Sequence, residues 1–519
     1  MSTSTLVTAT LRLPATATGQ HHSAQPADPP PPRSATSLIF RAFRALAPLS
    51  VVAVFACTGL TLGDNAAGQD TFMELGAIAV DAETDTSFVL RKATSESGTV
   101  IKTLWAVPKK GAPKAVATLD GQGDVRVLFP KRGVLLMAEE NGQEFLSLLD
   151  RHTLKVIDSA THSARYFGTR MSPSRRWVAV ADNKNNSLPI ILIDTNDLSA
   201  HALPGKADWK EAMWARTSDT LFAMSSWQTD ASKILWSGGW SHTRLMAWQM
   251  DQVIGAQFTL ATDGFWANPL FDIKLDGRGP SLLFSFSWVG VAPNDDAAVF
   301  PVIKAPANKG EKTTFELAVV DLDTHEVRFV QDAMGPVGFT PDGTSIISYR
   351  NVKHAQGDDK ASATGSDAET FTGQDLLAID LKTLAVEQLT VPFSGLINFF
   401  VTGAGHFVVV AGWTGNSRLA LFDLDGKASS TVKGPNLDLH EVVARPSAQE
   451  LWICDDGLYR LRVVSGVLDT IAVPFVAWHA NRLPTADQIV VGNRDGSTLV
   501  YLAPQSGAVV RTVHLPEPQ

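Results

Sequence analysis

The chain has 519 residues, of which 45% are hydrophobic and 19% charged, a balance that is typical of a globular protein with a large core. Its formal net charge is −9, and lysine and arginine form no stripe along the sequence. Because a duplex-binding protein neutralises phosphates with clustered cations, this composition argues against nucleic acid as the ligand.

Residues 1–40 are expected to form a disordered extension. They are rich in serine, threonine, alanine and proline, with four consecutive prolines from Pro29 to Pro32. Such a stretch cannot bury enough apolar surface to offset the entropy of ordering its backbone.

Residues 41–68 indicate an export or anchoring segment. Two arginines, Arg41 and Arg44, precede an apolar run of about twelve residues that ends at Ala56. A basic flank followed by an apolar run of this length is typical of a secretory signal.

Three endings of this segment remain open from the sequence. Residues 54–57 resemble a bacterial lipobox in which Cys57 is acylated, although Phe55 fits that motif poorly. Residues 66–68 offer the small side chains that signal peptidase needs. Alternatively, residues 45–63 are just long enough for an uncleaved membrane anchor. In each case the rest of the chain is exported, to the periplasm, the outer membrane or the medium.

A sequence repeat begins near residue 75, and its first recognisable feature is a turn between two strands. The clearest copies are Ser172-Pro173-Ser174 and Thr340-Pro341-Asp342-Gly343, each followed at once by an apolar strand. Proline sets φ for the second turn position, and Asp-Gly or serine completes a tight hairpin.

The second feature of the repeat is an aspartate at the end of a third strand. It occurs at Asp194, Asp321, Asp380 and Asp423, each after a run of apolar residues. Aspartate is favoured there because its side chain accepts hydrogen bonds from its own turn. Four antiparallel strands in each repeat of about 40–50 residues predict the blade of a β-propeller.

With these two features, the sequence repeat resembles the repeats of bacterial propellers of the YVTN, TolB and WD-like families. The resemblance covers residues 75–514, but the Trp-Asp ending of true WD repeats is absent. It implies an all-β fold with a single propeller, in a group whose members are mostly binding platforms and in a minority enzymes.

The blade number follows from counting the first turns. They fall near residues 82, 130, 173, 217, 293, 341, 403, 446 and 484. Because propellers usually have four to eight blades, about eight four-stranded blades are predicted, with a range of seven to nine.

Long insertions predict a ligand face over residues 209–373. Three of them are placed in the loop between the second and third strands of their repeats, at residues 228–241, 304–313 and 351–373. A fourth, 261–280, is interpreted as a link between blades that opens on the same face. Loops of this length in a compact domain are usually functional or disordered.

Aromatic side chains mark the first of these insertions. Trp236 and Trp240 lie in a glycine-rich loop, where large rings have no evident place in a core. With Trp227, His242 and Trp266 they form the predicted binding set, suited to protein, peptide or carbohydrate ligands. The alternative is that these rings merely cover the ends of the blades.

A second set of candidates lies on innermost strands, next to the axial channel. His440, Glu441 and His479 have side chains that can act as acid, base or metal ligand. No catalytic motif such as G-x-S-x-G occurs, and the sequence contains no metal motif such as His-x-x-x-His. No catalytic residue, metal site or cofactor is therefore assigned, although a divalent cation in the channel stays open.

The sequence leaves three hypotheses for function. The first is an exported, non-enzymatic binding or interaction platform. The second is a propeller enzyme with a metal or cofactor in the axial channel, as in lactonase-like or quinoprotein-like propellers. The third is a structural protein of the cell envelope.

Overall fold

The computed structural model describes residues 71–72 and 77–517, except for short gaps. The gaps are 95–99, 121–124, 141, 164–165, 183–189, 204–207, 228–241, 256–267, 281–289, 305–313, 334–335, 341, 353–372, 390–396, 402–405, 412–417, 424–428, 433–440 and 446–447. Cys57 and residues 1–70 lie outside the described residues, as do the three possible endings of the export segment.

Nearly all regular structure in the described residues is β-strand, arranged as nine antiparallel sheets that we number blades 1 to 9 in chain order. A short strand, β1 (Thr71–Phe72), comes first and joins blade 2. Blade 1 contains β2 (Ile78–Asp81), β3 (Thr86–Thr94), β4 (Val100–Val107) and β5 (Lys114–Asp120). Blade 2 contains β6 (Val125–Leu128), β7 (Val134–Glu140), β8 (Gln143–Leu149) and β9 (Val156–His162). Blade 3 contains β10 (Tyr166–Met171), β11 (Trp177–Asp182), β12 (Ile190–Asp194) and β13 (Ala200–Ala202).

The middle blades include the two irregular ones. Blade 4 contains β14 (Asp208–Trp214), β15 (Thr220–Trp227), β16 (His242–Gln249), helix α1 (Met250–Gly255) and β17 (Phe271–Asp276). Blade 5 has a divided first strand and contains β18 (Arg278–Pro280), β19 (Gly290–Val291), β20 (Ala297–Lys304), β21 (Thr314–Asp321) and β22 (Val327–Gln331). Blade 6 contains β23 (Pro336–Phe339), β24 (Ser345–Val352), β25 (Gly373–Asp380) and β26 (Val386–Leu389).

The last three blades each have four strands. Blade 7 contains β27 (Ile397–Val401), β28 (His406–Ala411), β29 (Arg418–Asp423) and β30 (Ser429–Thr431). Blade 8 contains β31 (Glu441–Arg445), β32 (Glu450–Cys454), β33 (Leu458–Arg462) and β34 (Val467–Ile471). Blade 9 contains β35 (Ala477–Leu483), β36 (Gln488–Asn493), β37 (Thr498–Ala503) and β38 (Ala508–His514).

The nine sheets confirm the all-β propeller and lie at the upper end of the predicted range. Each of the nine turns marked in the sequence separates the first and second strands of one blade. In the described residues the third strands end at the predicted aspartates. In blade 5, for example, Asp321 Oδ1 accepts the backbone N–H groups of Asp323 at 3.1 Å and Thr324 at 2.8 Å.

The strands of each blade are ordered from a central axis outward, with the first strand innermost and the fourth strand outermost. First strands of neighbouring blades contact one another, as β2 does β35 and β31 does β35, so they lie nearest the axis. The fourth strands β9 and β38 carry mostly exposed and half-buried residues, as expected at an outer rim. Apolar clusters fill the space between blades, since flat sheets must bury both faces to remain stable.

Two faces of the ring follow from the antiparallel order. One face has the turns between first and second strands and between third and fourth strands, such as 82–85 and 150–155, and we call it the turn face. The loop face is the opposite one, with the connections between second and third strands and the links between blades.

A repeated hydrogen bond joins successive blades on the turn face, and we call it the turn clasp. The carboxylate of Asp219 in blade 4 accepts the N–H of Ser174 in blade 3 at 2.9 Å. Asp295 in blade 5 accepts the N–H of Thr217 in blade 4, also at 2.9 Å. The aspartate thus reaches from each of these blades to the first turn of the preceding one.

The same clasp closes the ring between blade 9 and blade 1. Asp85 Oδ1 accepts the N–H of Thr485 at 3.1 Å, and Asn481 Nδ2 donates to the carbonyl of Ile78 at 2.8 Å. A buried apolar cluster also spans these two blades, with Val89 and Trp105 on one side and Leu499 on the other. Closure therefore depends on side chains and packing, because in the described part of the chain no strand is shared between blades 9 and 1.

Candidate binding face and axial channel

The predicted ligand face corresponds to the loop face of blades 4, 5 and 6. The connection 228–241 joins β15 to β16, 305–313 joins β20 to β21, and 353–372 joins β24 to β25. Each therefore links the second and third strands of its blade, as predicted, and all three leave the ring on the same face. The residues within the three connections lie outside the described part of the chain.

Charged side chains surround the bases of the first two connections, and we call them the rim cluster. His242 Nδ1 lies 3.1 Å from Asp276 Oδ1, where the start of β16 pairs with the end of β17. Arg278 Nε donates to Glu316 Oε2 at 2.7 Å, and Lys304 Nζ lies 3.8 Å from the other oxygen of Glu316. The cluster consists of His242, Asp276, Arg278, Lys304 and Glu316.

A hydrogen bond beside the rim cluster joins blades 4 and 5 at the loop face. The Glu316 side chain is only 2% exposed, so its negative charge requires the two cations beside it. Thr243 Oγ1 donates to the carbonyl of Arg278 at 2.9 Å, which ties β16 to the first strand of the next blade. The Arg278 guanidinium also stacks 3.8 Å from the centre of the Phe329 ring. These contacts fix the ends of the two connections before any ligand arrives.

A buried arginine strengthens the same wall of blade 4. Arg244 forms a two-bonded ion pair with Asp272, with both distances 2.6 Å. Such a planar pair fixes the register of β16 against β17.

The predicted aromatic set is only partly described. Trp227 ends β15 and its backbone pairs with His242, so these two residues stand at the base of the connection 228–241. Trp236, Trp240 and Trp266 lie outside the described residues.

One expectation about the loop face is wrong. Residues 261–280 were expected to form a link between blades, but Phe271–Asp276 is the fourth strand of blade 4 and Arg278–Pro280 begins blade 5. The insertion instead follows β16, whose last residue, Gln249, pairs with Thr220 beside the first turn. It therefore leaves from the turn face, because the third strand runs towards that face. Trp266 belongs to this insertion and not to the connection that contains Trp236 and Trp240.

Two axial candidates come together at the loop-face end of the innermost strands. His479 Nδ1 lies 3.1 Å from Glu441 Oε2, and the same oxygen accepts the N–H of Ala480 at 2.9 Å. His440 lies outside the described residues. The pair joins the first strands of blades 8 and 9, so it has a structural role in addition to any chemical one.

The Glu441–His479 pair is a familiar arrangement for orienting an imidazole. A carboxylate on one ring nitrogen fixes the tautomer and the orientation of the ring. In the described residues, no group of three or more histidine, cysteine, aspartate and glutamate side chains is placed to hold a metal ion. A cation at this pair would need further ligands from elsewhere.

Cys454 lies in the core between blades 8 and 9 and is a free cysteine. Burial raises the pKa of its thiol well above the ordinary value, with a further contribution from the nearby Glu441 carboxylate. The thiol is therefore protonated and protected, as expected for a structural cysteine. None of the helices in the described residues is long and apolar enough to cross a membrane.

The rim cluster was not predicted from the sequence, although one signal was present for the strand that contains Asp276. Residues 271–276 alternate strictly, with Phe271, Ile273 and Leu275 apolar and the residues between them charged. Such alternation predicts a half-buried strand over residues 271–276. The Arg278–Glu316 pair joins residues 38 positions apart, and the sequence contains no pattern that indicates it.

Comparisons with known proteins return solved structures that have low similarity to this chain. No family model matches the sequence, and no curated protein matches it. An oligogalacturonate lyase in complex with manganese is 12% identical with a TM-score of 0.38, over 76% of this chain and 98% of its own. TolB from Acinetobacter baumannii is 9% identical with a TM-score of 0.29, over 75% and 80%. Sqt1 from Saccharomyces cerevisiae is 11% identical with a TM-score of 0.40, over 89% and 100%. At these scores the similarities carry no argument about function.

Proposed function

We propose that the protein is an exported binding propeller that holds its ligand on the loop face of blades 4, 5 and 6. The observation that carries this proposal is the position of the three longest second-to-third-strand breaks. They occur in three successive blades and leave the ring on one face. Variable loops on a rigid scaffold are the usual way in which a fold builds a recognition surface.

The chemistry of this face suits a protein, peptide or carbohydrate ligand. Trp236 and Trp240, four residues apart in a glycine-rich connection, offer large contact area at a low entropy cost. At the bases of the first two connections the rim cluster adds charge, with the Asp276 side chain 81% exposed and Lys304 46% exposed. An aromatic centre with a polar rim is the common composition of protein interfaces.

Export is the part of the proposal that comes from residues 41–68. Their basic flank and apolar run favour a secretory signal, a lipoprotein signal at Cys57 or an anchor over residues 45–63. Intact-mass measurement and N-terminal sequencing of the protein from its own cells distinguish the three endings.

Site-specific photocrosslinking tests the binding face. A photoreactive amino acid replaces Trp240 in the full chain, which is then exposed to an envelope extract of the producing cells. The matched control carries the same amino acid at Asp323, an exposed turn residue of blade 5 on the opposite face. We expect a partner that is captured from position 240 and not from position 323.

The captured partner is then purified and its affinity for the full chain measured. Changing Trp236 and Trp240 together to alanine should weaken binding at least tenfold, whereas Asp323→Ala should leave it unchanged. Unchanged affinity in the double variant would refute the binding face and favour the structural envelope protein.

A second candidate function is a propeller enzyme with a divalent cation in the axial channel. The approach of His479 to Glu441 favours it, because both side chain types bind metals and move protons. Metal analysis of the purified full chain, with a panel of lactones as substrates, tests it. Less than stoichiometric metal together with no hydrolysis would exclude the lactonase-like form.

A further inference from the structure

The short strand β1 lies on the axial side of blade 2. Thr71 pairs with Val127 and Phe72 with Arg126, in antiparallel register. The sheet order is β1-β6-β7-β8-β9, so β1 occupies the inner edge of β6, which would otherwise face the channel. The backbone of the chain just before the ring therefore lies in the axial channel.

The partner strand is held firmly in place. Arg126 is buried and its guanidinium lies 3.5 Å from the Glu144 carboxylate on the third strand of the same blade. It also donates to the carbonyl of Tyr166 in blade 3. The other oxygen of Glu144 accepts the N–H of Tyr166 at 3.2 Å. The edge on which β1 pairs is thus a rigid part of the interface between two blades.

The direction of β1 fixes the side from which the chain enters. The strand β6 runs from the loop face to the turn face, because the first turn of blade 2 follows Leu128. The antiparallel β1 therefore runs from the turn face to the loop face, where β2 begins at Ile78. Thr71 lies opposite Val127, one residue from the turn-face end of β6.

We infer that the chain enters the axial channel from the turn face and runs through β1 along the inner edge of blade 2. A tether attached upstream of β1 then draws the turn face towards its attachment point and leaves the loop face of blades 4, 5 and 6 directed outward. This orientation deepens the proposed function and rests on it for its biological meaning, since it presents the binding face to a partner away from the membrane.

The length of the tether makes the orientation effective. Cys57 precedes Thr71 by 71 − 57 = 14 residues, and such a segment spans at most about 50 Å when fully extended. An acylated Cys57 would therefore hold the turn face close to a membrane.

A disulfide between β1 and β6 tests the pairing. Thr71→Cys and Val127→Cys are introduced together in the full chain with Cys57→Ser, while the buried Cys454 is retained. Opposed residues of an antiparallel pair lie within the Cα separation of a disulfide. The control pairs Thr71→Cys with Val442→Cys, a buried residue on the first strand of blade 8.

We expect mild oxidation to crosslink the first pair at least ten times more completely than the control pair. Equal or absent crosslinking would overturn the inference. Because Val127 is buried, the thermal midpoints of the single-cysteine variants establish that each protein is folded.

A distance measurement tests the entry face without any ligand. Gln69→Cys, again with Cys57→Ser, carries a spin label in the full chain, and a second label is placed at Ser506→Cys or Asp495→Cys. These exposed positions lie in turns at opposite ends of β37, Ser506 on the turn face and Asp495 on the loop face.

We expect the mean distance from residue 69 to be shorter to position 506 than to position 495. The reverse order, or equal distances, would overturn the entry at the turn face. Neither experiment uses the partner, so failure of the inference and failure of the binding face are distinguishable.

Discussion

Removing the turn clasp between blades 9 and 1 should open the ring at that seam. Asp85 is buried, and its carboxylate accepts the N–H of Thr485 at 3.1 Å and lies 3.2 Å from Lys109 Nζ. Its φ of +53° is in the left-handed region, which aspartate and asparagine tolerate better than alanine. Asp85→Ala therefore removes a hydrogen bond and adds backbone strain at the same position.

The magnitude follows from these two losses. Leaving the Thr485 N–H without its acceptor costs about 1–3 kcal/mol. An alanine at positive φ adds about 1 kcal/mol. The ion pair with Lys109, whose side chain is 42% exposed, contributes little. The sum is about 2–4 kcal/mol, and Asp85→Asn, which keeps an acceptor and tolerates the same φ, should cost about 1 kcal/mol or less.

Hydrogen exchange followed by mass spectrometry localises the effect. A loss of about 2 kcal/mol in a local opening speeds amide exchange about 30-fold. We expect faster exchange in peptides that cover β2 and β35 in Asp85→Ala, and little change there in Asp85→Asn. The matched variant Asp295→Ala should raise exchange between blades 4 and 5 instead. If Asp85→Ala left β2 and β35 unchanged, or if Asp295→Ala opened them, closure by the clasp would be refuted.

Three further predictions concern packing and titration. Gly133→Ala should lower the thermal midpoint strongly or prevent folding, because a Cβ there would lie 2.0 Å from the carbonyl oxygen of Leu149; a midpoint within 2 °C of wild type would contradict this contact. Hydrogen bonds from their turns lower the pKa values of Asp321 and Asp380, so their stabilisation is present above the unfolded pKa of 3.8 and is lost as the pH falls through the lower folded values. The double variant Asp321→Asn, Asp380→Asn should therefore lose less thermal stability than wild type between about pH 5 and pH 3, and an unchanged loss would argue against this linkage. Finally, the buried Cys454 thiol should react with a colorimetric thiol reagent only as the protein unfolds, so rapid labelling of the native Cys57→Ser chain at pH 8 would show that the core between blades 8 and 9 is open.

Local signals in the sequence were sufficient to predict the ring. The clearest hairpins have turn residues that specify where the chain must reverse, such as Pro173 with its serine neighbours and Asp342 with Gly343. The count of nine turns was also present, although the usual size of propellers favoured a lower number. Periodic local rules predict such a fold because each blade contacts only its neighbours.

The irregular parts needed the structure, for physical reasons. The strand β1 has only two paired residues and takes its place from the free edge of β6, which no local pattern indicates. The insertion after β16 contains a short helix and delays the fourth strand of blade 4, so a count of loops by length misplaced it. The Glu441–His479 contact joins two blades, and only the closed geometry brings those two candidates together.

Electron cryomicroscopy of the full chain, enlarged by an antibody fragment against residues 353–372, tests the central claim most directly. The account predicts nine radial sheets in one closed ring, with the fragment bound on the face opposite the turn between β23 and β24. A gap between the first and last sheets, or a fragment on the same face as that turn, would contradict it.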